Sequence, residues 1–196
     1  LLVFAYYECP MLCTLVLNGV VTVLRAVSLT PGKDFEVVAV SFDPRDKPEL
    51  AAKKKAVYLK SYGHPGTENG WHFLTGEEPE IKRLTDAAGF GYAYDPESKE
   101  YAHASAIYVV TPAGKLSHYF FGIEYPAGDV KLALVEASNG KIGSLVDQLL
   151  LFCFHYDPTT GKYSPLILRI VRVAGILTLL IMGAGIIIML RRERKV

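Results

Sequence analysis

The sequence predicts an α/β layer sandwich built on a mixed sheet, followed by one C-terminal transmembrane helix. Three observations carry this. Apolar residues in the first two thirds switch repeatedly between the two-residue rhythm of strands and the 3.6-residue rhythm of helices. The last two strand-like stretches, 104–110 and 116–121, are separated only by residues 111–115, which turn at Thr111-Pro112-Ala113-Gly114 and are too few for a crossover helix. Residues 173–190 contain no charged side chain and are followed by Arg191, Arg192, Glu193, Arg194 and Lys195.

In chain order, Leu1-Leu2-Val3-Phe4-Ala5 reads as a buried strand. It opens the chain with neither a charged leader nor a cleavage site, so an upstream segment, with any export signal, is expected before it. Residues 11–29 form a helix that is apolar over most of its surface and closes at Pro31-Gly32. Residues 35–42 are a β-branched strand. Residues 46–62 are an amphipathic helix with Asp46 as its N-cap, Pro48 in its first turn, Lys53, Lys54, Lys55 and Lys60 toward water, and Gly63 as its stop. A short strand at 71–75 precedes a helix at 77–88 stopped by Gly89; the hairpin and a last helix at 129–138 follow.

Parallel strands first and an antiparallel hairpin last fit a thioredoxin-like, three-layer arrangement. A flavodoxin-like sheet would need a helix where Pro112-Ala113-Gly114 stands. The expected organisation is a domain at 1–140, a juxtamembrane segment and linker at 141–165, a transmembrane helix at 166–190 and a basic tail at 191–196.

Eighteen uncharged apolar positions are about the minimum for a helix crossing a hydrocarbon core of roughly 30 Å. Arg169 and Arg172 lie at its outer edge, and the basic tail is the stronger positive end. The positive-inside rule then puts the C-terminus in the cytoplasm and the domain on the extracytoplasmic, periplasmic side of the cell membrane. The whole chain has a formal charge of +1, but residues 1–165 alone carry about −4. No basic patch with interleaved aromatics appears in them, so no nucleic-acid partner is expected.

The chemistry-bearing motif lies where the first strand turns into the first helix, at Cys9-Pro10-Met11-Leu12-Cys13. Helix N-termini stabilise thiolates, and Pro10 suits a first helical turn because it needs no amide acceptor. Two soft donors with this spacing suit a thiophilic ion such as Cu(I); two buried cysteines packed as small apolar groups are the structural alternative. Two thiolates alone under-coordinate copper. Of the histidines, His64, His72 and His118 have local explanations at a helix end, beside Trp71 and on a sheet face. His103 is expected in the loop leading into the 104–110 strand, which a thioredoxin-like sheet places against the first helix.

These motifs, with Val40-Ser41-Phe42-Asp43-Pro44-Arg45-Asp46-Lys47-Pro48, Trp71-His72-Phe73-Leu74-Thr75-Gly76 and His103 before Ile107-Tyr108-Val109-Val110, resemble the Sco/SenC family from residue 1 to about 138. The resemblance implies a membrane-anchored copper chaperone, not an enzyme. It would bind copper as Cu(I), with Cu(II) as a further state, through Cys9, Cys13 and His103. It would deliver the metal to the dinuclear copper site of cytochrome c oxidase subunit II. Thr14 stands where the family often has Pro, and Ala102 where an Asp commonly precedes the histidine; that loses one candidate partner for the imidazole.

Asp43 ends the second strand beside the expected site, where it could hydrogen-bond near the metal or serve the turn with Pro44. Two alternatives use the same thiols: a thiol-disulfide reductase with Cys9 and Cys13 as its redox pair, and a copper or redox sensor. Cys153 and His155 stand outside the resemblance, as an accessory copper pair or, more simply, packing residues among Leu and Phe.

Overall fold

The computed structural model describes residues 1–9 and 12–140, with the short pieces 156–157, 162–163, 172–173, 175–180 and 182–183. Its elements are β1 (Leu2–Phe4), α1 (Leu12–Ala26), β2 (Val37–Val40), α2 (Pro48–Tyr62), β3 (Trp71–Leu74), α3 (Glu78–Ala88), β4 (Tyr92–Asp95), β5 (Glu100–His103), β6 (Ala106–Val110), β7 (Leu116–Phe121) and α4 (Ala127–Ser138). The main sheet runs β3-β2-β1-β6-β7. β1 is parallel to β2 and β2 to β3, whereas β6 is antiparallel to both β1 and β7. This is the mixed, thioredoxin-like sheet expected from the element order.

Register explains which side chains meet. Val3, Ala39 and Phe73 lie side by side across β1, β2 and β3, and all three are buried. Tyr58 of α2 stacks on Phe73 with ring centroids 5.8 Å apart, and Tyr62 lies against Trp71 at 5.3 Å. Phe4, one residue on from Val3, points to the opposite face, where it stacks on Phe90 at 4.8 Å. α1 buries Val16, Leu17, Val20, Val21, Val23 and Leu24. Its β-branched content lowers intrinsic helix propensity, so packing rather than propensity holds it. At Gly19 it passes so close to the chain after β7 that an added Cβ would stand 2.1 Å from the Ile123 carbonyl oxygen.

Several boundaries differ from expectation. α1 ends at Ala26, not Leu29, because Pro31 bridges to Phe35 and Asp34 takes the Thr30 amide into a turn. Asp46 is not the cap of α2. That helix starts at Pro48 after an extended Lys47, and the Asp46 carboxylate turns inward. Gly63 and Gly89 do stop their helices, with φ of 73° and 67°. The largest addition is an antiparallel ribbon, β4–β5, where Tyr94 faces Tyr101 and Tyr92 faces His103. His103 is therefore the last residue of a strand and not part of a loop.

The expected transmembrane helix at 166–190 falls largely outside the described residues. Those within it are helical, and the side chains of Val173, Ile176, Leu177, Leu179, Leu180 and Met182 are exposed. Among the described residues no helix is long and apolar enough to cross a membrane. Cys153 and His155 also lie outside the described residues.

Candidate functional site

β1 delivers the chain to the site. After Phe4 the backbone leaves the sheet, and its two tyrosines diverge. Tyr7 is driven inward, its hydroxyl donating to the carbonyl oxygens of Ala39 and Leu74, each at 2.9 Å. Its amide donates to Asp46 Oδ2 at 2.7 Å, and the same oxygen accepts from the Ser41 hydroxyl at 2.5 Å. Asp46 thus staples the segment ahead of Cys9 to the end of β2. Tyr6 points the other way. Burial first, and then a hydrogen bond with Cys9, push its phenol above the ordinary value.

Cys9 and Cys13 are not joined by a disulfide, and both are buried, Cys13 to 2% exposure. The Cys13 amide donates to the Cys9 sulfur at 3.3 Å, so the sulfur serves as an acceptor at the start of α1. The Thr14 hydroxyl donates to the Cys9 carbonyl at 3.4 Å. Pro10 and Met11, between the two cysteines, lie outside the described residues.

Across from them, His103 Nε2 stands 3.4 Å from Cys13 Sγ, ninety positions away in sequence. The ring's other nitrogen, Nδ1, lies 2.9 Å from the Ala104 carbonyl oxygen. A carbonyl only accepts, so Nδ1 carries the proton; in the neutral ring Nε2 then presents its lone pair to the thiol. Burial pushes the imidazole below its ordinary value of 6.5, which favours that neutral form. With Ala102 instead of a carboxylate before it, the ring takes its orientation from its neighbour's backbone. Phe42, Phe90 and Tyr6 wall it in, with centroids at 5.1, 5.8 and 6.3 Å.

The expected thiolate stabilisation at the helix start is not found at Cys13. Burial, followed by the neighbouring Cys9, pushes this thiol well above its ordinary value. Desolvation outweighs the helix end because the sulfur is buried beside the Tyr6 backbone and Cys9 rather than beside water.

The structure brings His103 to Cys13, and the Cys9 sulfur to the Cys13 amide. Among the described residues, no three His, Cys, Asp or Glu side chains converge tightly enough to form a ready cage for a metal ion. Cys13 and His103 already face each other, while the Cys9 sulfur is turned to the Cys13 amide. Asp43 is not in this group: Arg45 grips its carboxylate through Nε at 2.9 and 3.0 Å and through Nη2 at 2.7 Å. Burial alone would raise the Asp43 carboxyl, but the Arg45 contacts outweigh it and hold it below its ordinary value. The other described histidines have local partners: His64 stacks on Tyr62, His72 meets Glu36 at 2.9 Å, and His118 meets Glu136 at 3.3 Å.

The family model described as SCO1/SenC matches residues 1–133. This chain belongs to the SCO1/SenC family. No curated protein matches it. Among solved structures it is similar to a candidate electron-transfer protein of Aquifex aeolicus VF5, with 27% identity, a TM-score of 0.61, and 71% of this chain and 78% of that one covered. It is also similar in fold to a SCO1/SenC family lipoprotein of Bacillus anthracis str. Ames, at 20% identity, TM-score 0.55, covering 70% and 79%. A third is Bradyrhizobium japonicum ScoI with copper bound, at 24% identity, TM-score 0.50, covering 69% and 82%. The ribbon that carries His103 had a sequence signal in the Tyr-Ala-Tyr and Tyr-Ala-His alternation around Asp95-Pro96.

Proposed function

We propose that this SCO1/SenC chain is a copper chaperone that takes up Cu(I) through Cys9, Cys13 and His103. It passes the ion to the dinuclear copper site of cytochrome c oxidase subunit II. The observation that carries the reading is the lone pair of His103 Nε2 held against Cys13 Sγ at 3.4 Å by a proton committed to the Ala104 carbonyl. Metal–nitrogen and metal–sulfur bonds of about 2.0 and 2.3 Å, as in zinc sites, reach across a donor separation of up to about 4.3 Å. One ion can therefore join these two donors without moving either backbone. Two sulfurs and one imidazole among aromatic walls are a soft donor set suited to Cu(I).

Uptake releases the thiol protons of Cys9 and Cys13 to solvent and turns the Cys9 sulfur away from the Cys13 amide toward the ion. Because the cage is incomplete at rest, an incoming pair of thiolates can enter before all three ligands have left. A neutral buried Cys13 is a poor nucleophile near neutral pH, which weighs against thiol-disulfide reduction as the main activity. In this reading the segment 166–190 anchors the domain on the extracytoplasmic face of the membrane.

The test is Cu(I) titration of the reduced full chain in detergent against a competing chelator. One equivalent should bind, binding should vanish in Cys9→Ser and Cys13→Ser, and His103→Ala should weaken it by about 10- to 100-fold. Undiminished affinity in His103→Ala would overturn the three-ligand site. Transfer is read by mixing the loaded chain with a reduced subunit II domain; copper that stays on the donor would refute delivery.

A further inference from the structure

We infer that Arg45 is a positioning residue for His103: its guanidinium clamps the β4–β5 ribbon to the domain and so holds the imidazole opposite Cys13. The inference rests on the copper-binding reading only for its functional consequence. β4 and β5 pair with each other and not with the main sheet. A two-stranded ribbon is marginal alone, so its position must be set by side chains.

At the His103 end those side chains are Tyr6, Phe42 and Phe90. At the other end stands Arg45. Its guanidinium carbon lies 5.1 Å from the centre of the Tyr94 ring and 5.6 Å from that of Tyr101. These two tyrosines face each other across the ribbon, so a single cation spans both strands. The same guanidinium is held in place by Asp43, a carboxylate only 3% exposed, whose Oδ1 also takes the Arg45 amide at 2.9 Å. The loop after β2 thereby grips the ribbon from outside the site.

Geometry carries that grip to the ligand. Tyr101 and His103 are two residues apart on β5 and share one face of it. Tyr101 packs edge-on against both Tyr6 and Phe42 with centroids 5.4 Å apart, and both of those rings also touch His103. If Arg45 lets go, the Asp43–Tyr101 hydrogen bond remains on β5, but the cation that ties Tyr94 and Tyr101 together is gone and the imidazole drifts from the thiol. Lysine cannot substitute, because an ammonium lacks the planar fork that binds Asp43 and stacks on two rings together.

The experiment measures Cu(I) affinity of the full chain in detergent for the parent, Arg45→Ala, Arg45→Lys, His103→Ala and the Arg45→Ala/His103→Ala pair. Arg45→Ala should lose about tenfold, and Arg45→Lys most of that. In the His103→Ala background the Arg45 change should cost nothing further, because the ligand it positions is gone. Provided His103→Ala itself binds copper more weakly, equal losses in both backgrounds, or no loss in Arg45→Ala, would overturn the inference.

A second readout uses the copper-free protein. Proton NOEs between the His103 ring and Phe42 should weaken in Arg45→Ala while the amide shifts of β1, β2 and β6 stay in place. Unchanged NOEs would refute the clamp whatever the copper data show. If His103→Ala binds copper normally but these NOEs still fall, the clamp stands and the three-ligand reading fails.

Discussion

Replacing Asp46 with alanine removes the acceptor of two buried hydrogen bonds, from the Tyr7 amide at 2.7 Å and the Ser41 hydroxyl at 2.5 Å. Hydrogen bonds to a charged group contribute about 1.5–3 kcal/mol each, and the Tyr7 amide would be left buried without an acceptor. The two together put the cost at roughly 3–5 kcal/mol, a large part of a typical stability of about 5–15 kcal/mol. Asp46→Asn keeps an oxygen in the same position and loses only the charge, so it should cost about 1–2 kcal/mol. Trp71, the single tryptophan, is fully buried, and its fluorescence reports equilibrium urea unfolding directly. With a urea slope of about 2 kcal/mol per molar, Asp46→Ala should move the midpoint down by roughly 1.5–2.5 M. A shift under about 0.5 M, or an Asp46→Asn variant as unstable as Asp46→Ala, would refute the account of Asp46 as a charged staple.

Gly19→Ala places a methyl group 2.1 Å from the Ile123 carbonyl oxygen and should destabilise by about 2 kcal/mol or more, read from the thermal midpoint. Gly128→Ala in α4, where an added Cβ meets nothing within 4 Å, should instead stabilise by about 0.5–1 kcal/mol. Cys13 gives a pH test. Its folded thiol is raised above the ordinary 9.0, so its contribution is intact below about pH 9 and falls above it, where the unfolded thiol ionises and the folded one does not. Unfolding midpoints between pH 8 and pH 10.5 should show this slope and lose part of it in Cys13→Ala; an unchanged slope would contradict the burial argument.

Long, strongly patterned segments were legible in the sequence, and residues whose role depends on a distant partner were not. The 46–62 and 77–88 helices carry their own stop signals in Gly63 and Gly89, and both end there. Asp46 misled because an Asp two residues before a proline satisfies the local rule for a cap. Only the folded chain brings the Tyr7 amide and the Ser41 hydroxyl to it, and two buried bonds outweigh one exposed cap. The β4–β5 ribbon was missed because its alternation uses alanine, tyrosine and charged residues rather than β-branched ones, and it bonds to no other strand.

At the site, the CxxxC pair and His103 could be named from spacing and topology. The ionisation of Cys13 could not, because helix-end stabilisation is visible in sequence whereas desolvation by burial is a tertiary property. Asp43 was read by its place at a strand end; its partner, Arg45, is two residues away and draws it from the site toward the ribbon.

The contact between the Cys13 amide and the Cys9 sulfur ties the first turn of α1 to the electron pairs of that sulfur. Sulfur is a weak acceptor, and anything that draws on those electrons, whether a soft cation or a second sulfur, leaves the amide short of its partner. Occupancy is thereby written into the backbone at the start of a helix as well as into the charge of the site. An empty and a filled molecule would then differ in how readily one identifiable amide hydrogen exchanges with water.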